Sequence, residues 1–506
     1  MTSPPRQDTT DQTAKTRLHA LHQRLTAAAT ALGVDATTRS DEVAGASSEV
    51  FGRLVEHVHG RPGTDGMWLL MTAMSGAMPE PDELAAALRA RDLSGPDDFS
   101  RWLLEAAHQV AWSRGAADLE MDVVTDMVVV EVDFAARHNL HTGIQRVVRE
   151  TVSRWAGPHE LTLVAWTDSG GALRRLADFE TNRVVHWGDR MHPPDGTRPE
   201  GEERILVPWR CQLVLPENPA PDHSAAIAAL ASYSGSTVGL IGYDCIPVIS
   251  PDLIQAQLPD RFMRYLQVVK HAHQVVGISA SAAREFRGFV QMLGAQGLQG
   301  PAVSECALPV EVPPGASVPQ ATPPLVVCIG SFEPRKNQVA VLHAAEQLWR
   351  EGLEFQVEFI GGSGWATEFD GLINRLRGAG RAVRRRTAIT DTELWRTLRS
   401  ARFSVFVSLH EGFGLPVAES LACGTPCLTS DYGSTREIAD EGGALVVDPR
   451  DDLAIADQMR RLMTDDALLD TLRQEAAGRP PRTWDDYAKE LWDALVSTTS
   501  EQEAAR

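Results

Sequence analysis

The chain has 506 residues, 43% of them hydrophobic and 23% charged, with a formal net charge of -20. At roughly 100–200 residues per domain, this length predicts about three domains, with enough apolar material for large cores. The acidic balance excludes a general nucleic-acid binder, which needs excess Lys and Arg to displace counterions from phosphate.

Residues 1–14 are polar, without the basic-then-apolar pattern of a secretion signal, and apolar runs such as 127–130 are far too short to span a bilayer. The expectation is a cytoplasmic protein, at most peripheral to a membrane. Residues 1–120 read as a helical accessory region. Leu18, Leu21, Leu25, Ala28 and Leu32 form one helix stripe, and further helices are expected near 50–58, 67–78, 83–91 and 99–112. Pro79, Pro81 and the turn Ser94-Gly95-Pro96 divide them. No chemistry-bearing pattern occurs here. A small bundle is the simple reading, and a docking module for an acceptor or partner is the alternative.

From residue 121 the pattern changes to alternating strands and helices. Strands are expected at 127–134, 161–166, 204–207, 237–242 and 274–279, with a helix carrying Ile144, Val147, Val148, Thr151, Val152 and Trp155 on one face. This rhythm predicts a doubly wound α/β domain over 121–308. Residues 191–203, rich in Pro, Gly and charge, read as a surface loop. Residues 309–324 hold six prolines and read as a stiff linker. The α/β rhythm restarts over 325–478, with strands near 325–329, 355–360, 403–407, 426–429 and 444–447. The segment 479–506 supplies a last helix near 484–496. The six cysteines include no paired C-x-x-C motif and read as buried thiols rather than zinc ligands or disulfides, although Cys423 and Cys427 are only four apart.

The most informative stretch is Ser408-Leu-His-Glu411-Gly412-Phe413-Gly414-Leu415-Pro416-Val-Ala-Glu419. It follows a strand and opens a helix, at the sheet edge where α/β proteins bind ligands. Pro416 suits a first helical turn, the glycines allow a sharp turn and a close approach, and the free N–H groups attract an anion. Two carboxylates beside an anion site make sense when they meet hydroxyls, and a nucleotide-sugar carries hydroxyls on both hexose and ribose. The second stretch, Gly330-Ser331-Phe-Glu-Pro-Arg335-Lys336-Asn337, is another strand-to-helix turn, whose cations can neutralise a diphosphate.

Glu411 and Glu419, with seven residues between them enclosing Gly-Phe-Gly-Leu-Pro, match the E-x7-E signature, and the sequence here resembles the retaining glycosyltransferases of family 4. The continuation to Pro426, Arg436-Glu-Ile-Ala439, Val446-Val-Asp-Pro449 and the Arg335-Lys336-Asn337 turn resemble the same family. In the first α/β domain, Thr142-Gly143-Ile-Gln-Arg146, Tyr243-Asp244-Cys-Ile-Pro247 and Val276-Gly-Ile-Ser279 are looser matches. The likeness spans about residues 125–495 and leaves 1–120 outside.

The resemblance implies a GT-B fold: two Rossmann-like domains facing across a cleft, with the last helix crossing back. It implies that Glu411 contacts donor-sugar hydroxyls and Glu419 the ribose. The amides around Gly412, Phe413, Gly414 and Leu415 would hold sugar and phosphate, and Arg335 and Lys336 would stabilise the departing diphosphate. Gly143 would approach that diphosphate from the other domain, and Ser331 and Thr390 would add donor contacts. Asp244, which follows the apolar run 237–241, reads either as a cleft residue near the acceptor or as a cap of the next segment. Transfer of a hexose would retain anomeric configuration with no metal and no cofactor. The implied partners are a nucleotide-sugar donor and a glycan, lipid-linked or small-molecule acceptor.

Some residues depart from the family pattern. Arg384, Arg385, Arg386 and Thr387 stand where members carry an apolar strand and a glycine, and Arg436 stands where many carry proline. With Arg375, Arg377 and Arg381 these arginines form a basic run, read either as a solvated face or as a surface for an acidic acceptor or lipid. His138 and His141 flank the glycine loop and read as surface histidines. Gly361-Gly-Ser-Gly364 lacks dinucleotide-loop spacing. Asp451-Asp452 reads as a helix cap. The rival readings are a catalytically degenerate GT-B scaffold and another GT-B sugar-nucleotide enzyme, such as an epimerase or a phosphorylase. The second domain's single lysine, Lys336, is the only candidate there for a pyridoxal site.

Overall fold

The computed structural model describes residues 7–497 except 142, 189–190, 200–203, 314, 316–317, 363, 366 and 388. Thr142 of the glycine loop, Ser363 of the Gly361–Gly364 stretch and parts of the expected 191–203 loop and proline linker therefore lie outside the described residues.

The chain opens with five helices, α1 (Gln7–Leu32), α2 (Val43–His59), α3 (Asp65–Ser75), α4 (Pro81–Leu93) and α5 (Pro96–Ser113). A nine-stranded sheet follows. Its strands are β1 (Glu120–Val124), β2 (Val128–Glu131), β3 (Leu161–Trp166), β4 (Leu173–Arg175), β5 (Arg204–Pro208), β6 (Gln212–Leu215), β7 (Thr237–Gly242), β8 (Gln274–Gly277) and β9 (Ala302–Glu305). Between them run α6 (Asp133–Arg137), α7 (Gly143–Trp155), α8 (Asp178–Val185), α9 (Ser224–Tyr233), α10 (Ile246–Ile249), α11 (Leu258–His271) and α12 (Ala280–Gly294). The strand order is β1-β5-β4-β3-β2-β6-β7-β8-β9, with only the β4 pairings antiparallel.

The first sheet departs from the expected strands in a specific way. The run 127–134 is strand only to Glu131, because α6 starts at Asp133 and takes Phe134 into a helix. The register Val124↔Pro208 continues as Val128↔Gln212. Thus β1–β2 and β5–β6 are two long parallel strands, each broken once by a residue at φ 54, Asp126 and Arg210. Those breaks, together with the short β4 and the part-exposed β9, have no clean apolar run to announce them.

The helices of residues 7–113 are a layer on this sheet. One apolar cluster joins Leu25, Val50, Trp68 and Phe99 to Ile205, Leu213 and Val238. The buried Arg24 donates to the carbonyls of Ala73, Ala117 and Leu119 at 2.7–3.0 Å. Gln23 exchanges two hydrogen bonds with the Met121 backbone, at 3.0 and 2.7 Å, and so covers an edge strand that would otherwise stay open.

The second domain is a six-stranded parallel sheet of order β12-β11-β10-β13-β14-β15. Its strands are β10 (Leu325–Ile329), β11 (Gln356–Ile360), β12 (Val383–Arg386), β13 (Phe403–Phe406), β14 (Cys427–Ser430) and β15 (Ala444–Val447). The helices are α13 (Gln338–Arg350), α14 (Thr367–Gly378), α15 (Asp391–Ser400), α16 (Leu415–Ala422), α17 (Gly433–Ala439), α18 (Asp452–Thr464) and α19 (Asp466–Ala477). Short apolar runs such as Leu-Val-Val-Cys-Ile of β10 are buried between helix layers. The arginine-rich stretch at 383–386 forms the edge strand β12. Arg384 and Arg386 both pair with the fully buried Glu358, Arg385 pairs with Asp370 and Arg381 with Glu346, so these arginines are engaged in local ion pairs.

The last helix, α20 (Trp484–Trp492), returns to the first domain. Trp155 of α7 donates its indole N–H to the Ala488 carbonyl at 2.8 Å, and Gln212 reaches the Leu495 carbonyl at 2.6 Å. Two α/β domains facing across a cleft with a crossover helix are the expected GT-B arrangement.

Candidate active site

The C-terminal ends of β10 and β13 carry the two informative turns. Ile329 runs into Gly330, and Arg335 and Lys336 lie in a single 3-10 turn just before α13. Beyond β13 the chain passes Ser408 and Glu411 and enters α16 through Gly414, whose φ of 104° is strained for any side chain. Pro416 occupies the first turn of α16, as the sequence predicts.

These turns converge on one ion cluster. Lys336 Nζ lies 2.7 Å from Glu411 Oε1, Arg335 lies 2.9 Å from Glu411 Oε2, and Ser408 Oγ donates to Oε1 at 2.6 Å. Burial alone would raise the Glu411 carboxyl, but Lys336 and Arg335 outweigh it and hold it at about 2. Burial lowers the Lys336 ammonium against the opposing pull of Glu411. Arg335 also donates to the His410 carbonyl at 2.7 Å. The cations expected to meet a diphosphate and the carboxylate expected to meet a sugar therefore form a single preorganised unit.

Gly412 is required for a different reason from Gly414. A Cβ at position 412 would lie 2.4 Å from the Tyr243 carbonyl oxygen and 3.2 Å from Asp244 Oδ2. The loop is pressed against the first domain, and only glycine allows that approach. Phe413 is buried in the apolar cluster between the domains. Gly143, at the start of α7, faces Leu415, with 3.6 Å between its Cβ position and Leu415 Cδ1.

Asp244, just past β7, accepts from the Ile246 N–H at 3.1 Å and so caps α10 while lying beside Gly412. Burial, and then the nearby Glu285, push its carboxyl up to about 6 against the pull of Arg335. Glu419, in α16, pairs with Arg146 of the first domain at 3.1 Å. Burial pushes its carboxyl up to about 7, with Arg146 pulling the other way. Ser331 donates to Glu333 at 2.7 Å. Thr390 forms a capping box with Glu393 at the start of α15, in a chain segment exposed to solvent.

The sequence reading missed a second set of residues that the fold brings to this cleft. His410 bonds Ser250 Oγ at 2.9 Å through Nδ1 and Glu285 at 2.7 Å through Nε2. Ser279 caps α12 and donates to the Gly412 carbonyl at 2.6 Å. Glu437 of α17 receives the Ala280 N–H and Arg284. His410 stands beside Glu411, and Ser279 and Glu437 fall in the 276–279 and 436–439 matches, though none was given a role; Glu285 and Ser250 lie in unremarkable sequence. Of the minor candidates, His141 stacks on Trp187, Asp451 caps α18, and Gly361 and Gly364 allow the 330–332 backbone to pass. Among the described residues no group of three or more His, Cys, Asp or Glu is arranged to hold a metal, and no helix is long and apolar enough to cross a membrane.

Residues 314–479 match the family described as glycosyl transferases group 1. The chain is 24% identical over 344 residues to the serotype-specific mannosyltransferase WbdA of Escherichia coli, which covers 63% of this chain and 40% of that protein. It is 34% identical over 142 residues to the O-antigen chain mannosyltransferase B of Escherichia coli, covering 28% of this chain and 36% of the relative. Sucrose-phosphate synthase from Thermosynechococcus elongatus is similar in structure at a TM-score of 0.49 and 15% identity, over 75% of this chain and 98% of that one. The chain spans about two fifths of the length of the curated relatives it matches. The glycosyl transferases group 1 match falls on the domain that carries Arg335, Lys336, Glu411 and Glu419.

Proposed function

We propose that the chain is a glycosyltransferase that moves a hexose from a nucleotide-diphosphate sugar to an acceptor hydroxyl with retention of anomeric configuration. The observation that carries this reading is the buried Lys336–Glu411–Arg335 cluster at two adjacent strand ends, facing the first domain across the cleft. In this reading Arg335, Lys336 and the amides at the start of α16 take the diphosphate. They stabilise charge as it develops on the leaving oxygen, in a site where burial strengthens each contact. Glu411 orients hexose hydroxyls and Glu419 the ribose. Gly143, Ser331 and Thr390 complete the donor site, and Asp244 lies on the acceptor side. The acceptor hydroxyl attacks on the face that the diphosphate leaves, its proton passes to the departing phosphate oxygen, and no covalent glycosyl-enzyme forms. Two side-chain cations beside the diphosphate do the work of a divalent metal.

The acceptor is a glycan or a lipid-linked or small-molecule precursor in polysaccharide or glycoconjugate synthesis, and the named relatives make mannose the first sugar to try. The test is a thermal-shift screen of nucleotide-sugars, followed by transfer and NMR of the product. A donor at 100 times its Kd adds about 2.7 kcal/mol of stability. Binding of no nucleotide-sugar, or an inverted linkage in the product, would overturn the reading.

A further inference from the structure

Arg146 is a first-domain cation that reaches the domain carrying Arg335, Lys336 and Glu411. It lies one turn into α7, beyond Gly143, and its guanidinium crosses to Glu419 at 3.1 Å. It also lies 5.9 Å from the Trp484 ring centroid, so the crossover helix flanks it. Glu419 is 9% exposed, three residues after Pro416 in α16, with Ser420 and Leu421 buried beside it. A carboxylate in such a place is costly to keep charged without a partner. Among the described residues, the titratable groups acting on it are Arg146 from α7, Asp391 from the start of α15 and the Cys423 thiol at the end of its own helix. His141 faces Arg146 and Asp391 in turn. Asp391 disfavours the ionised form and Arg146 favours it.

We propose that Arg146 is a positioning residue that holds the Glu419 carboxylate ready for the donor's ribose, so that the nucleoside site is complete only when the two domains close on each other. The proposal rests on the ribose role given to Glu419 above. It makes donor affinity depend on a residue outside the domain that binds the donor, and it couples nucleotide binding to closure. Each Glu419 oxygen has two lone-pair positions, so a guanidinium on one oxygen leaves acceptor capacity for hydroxyls. Arginine suits the role because it stays charged and is weakly hydrated, so burying it beside a carboxylate costs less than burying an ammonium.

The test is calorimetric binding of UDP and GDP from pH 5.5 to 9, carrying forward the tighter ligand together with its nucleoside. Wild-type affinity should hold above about pH 7 and fall below it. Arg146→Met should move that midpoint up by about one pH unit or more and weaken binding about tenfold at pH 7, with recovery near pH 9. Arg146→Lys should return the midpoint towards the wild-type value. Glu419→Gln should weaken binding and leave a profile that holds only the titration of the phosphate itself. If Glu419→Gln leaves affinity unchanged, the ribose reading fails. If Glu419→Gln weakens binding but Arg146→Met does not move the midpoint, the positioning role fails alone. If Arg146→Met weakens the diphosphate and spares the nucleoside at every pH, Arg146 is a phosphate ligand and the proposal is overturned.

Discussion

The two walls of the cleft are built differently. On the second-domain wall, Arg335, Lys336, Ser408 and Glu411 lie on two neighbouring strand ends and satisfy one another within the domain. On the first-domain wall, Asp244, Arg146, Ser250 and Glu285 are set against partners across the gap: Gly412, Glu419 and His410. The second wall is preorganised whatever the position of the first. The first adds cross-domain partners to local ones: Asp244 and Glu285 also accept backbone N–H groups of Ile246 and Cys245 in their own domain. Two glutamates of the second domain, Glu411 before α16 and Glu419 within it, show the difference. Burial raises both carboxyls, but Lys336 and Arg335 together hold Glu411 at about 2, whereas Arg146 alone leaves Glu419 at about 7.

The largest expected effect breaks the self-contained wall. Glu411→Gln should lower turnover by roughly two to three orders of magnitude, as removal of a preorganised electrostatic contact does. Glutamine is preferable to alanine here. It keeps the side chain's shape and one acceptor oxygen, but either substitution removes the charge that compensates two buried cations, so both should lose stability as well as activity, by up to about 3–5 kcal/mol. Wild-type turnover in a folded Glu411→Gln protein would remove the residue from the mechanism.

Next come the cations. Arg335→Ala and Lys336→Ala should each weaken nucleoside diphosphate by about 1.5–3 kcal/mol while changing nucleoside affinity little. Calorimetry with both ligands separates these outcomes, and equal losses would show that neither residue acts on phosphate.

The two glutamates should also contribute to stability with opposite pH dependence. The folded value of Glu411 is depressed, so its contribution is present above about pH 4.5 and lost as pH falls towards 2. The folded value of Glu419 is raised, so its contribution is present below about pH 4.5 and lost as pH rises through 7. Each amounts to about 3 kcal/mol at the limit. In thermal melts across pH, Glu411→Gln should flatten the acid limb, and Glu419→Gln should gain on wild type above pH 7. Parallel curves for the two variants would show that the walls do not differ in this way.

The smallest expected effect is none: transfer measured in excess EDTA should match transfer with added Mg²⁺ or Mn²⁺. Abolition by EDTA with rescue by metal would withdraw the roles given to Arg335 and Lys336.

Much of the second wall was legible in the sequence. A strand-turn-helix with Gly414 and Pro416 is local chemistry, and the β10 and β13 runs are continuous apolar segments at the expected places. Less of the first wall could be read. Strand β1 was missed because a residue at positive φ, Asp126, separates it from β2, and the hydrophobic pattern does not record φ; β2 was drawn too long because the apolar run continues into α6. The arginines of β12 did not read as a strand, because what makes them one is the buried Glu358 on the neighbouring strand. The N-terminal helices read as a bundle of their own, but a short-range pattern could not reveal that their core continues into the first sheet.

By itself the sequence determined the alternation of strand and helix, the two turns, and which residue types stand at their ends, because each is set within a few residues by steric and hydrogen-bonding preferences. Tertiary structure decided which charges meet. Arg146 is 273 positions from Glu419, and Glu285 is 125 positions from His410. No local preference couples residues at such separations. Their pairing, and with it the ionisation of Glu419 and Asp244, follows from how two separate sheets are docked with the returning helix α20, and from the burial that docking imposes.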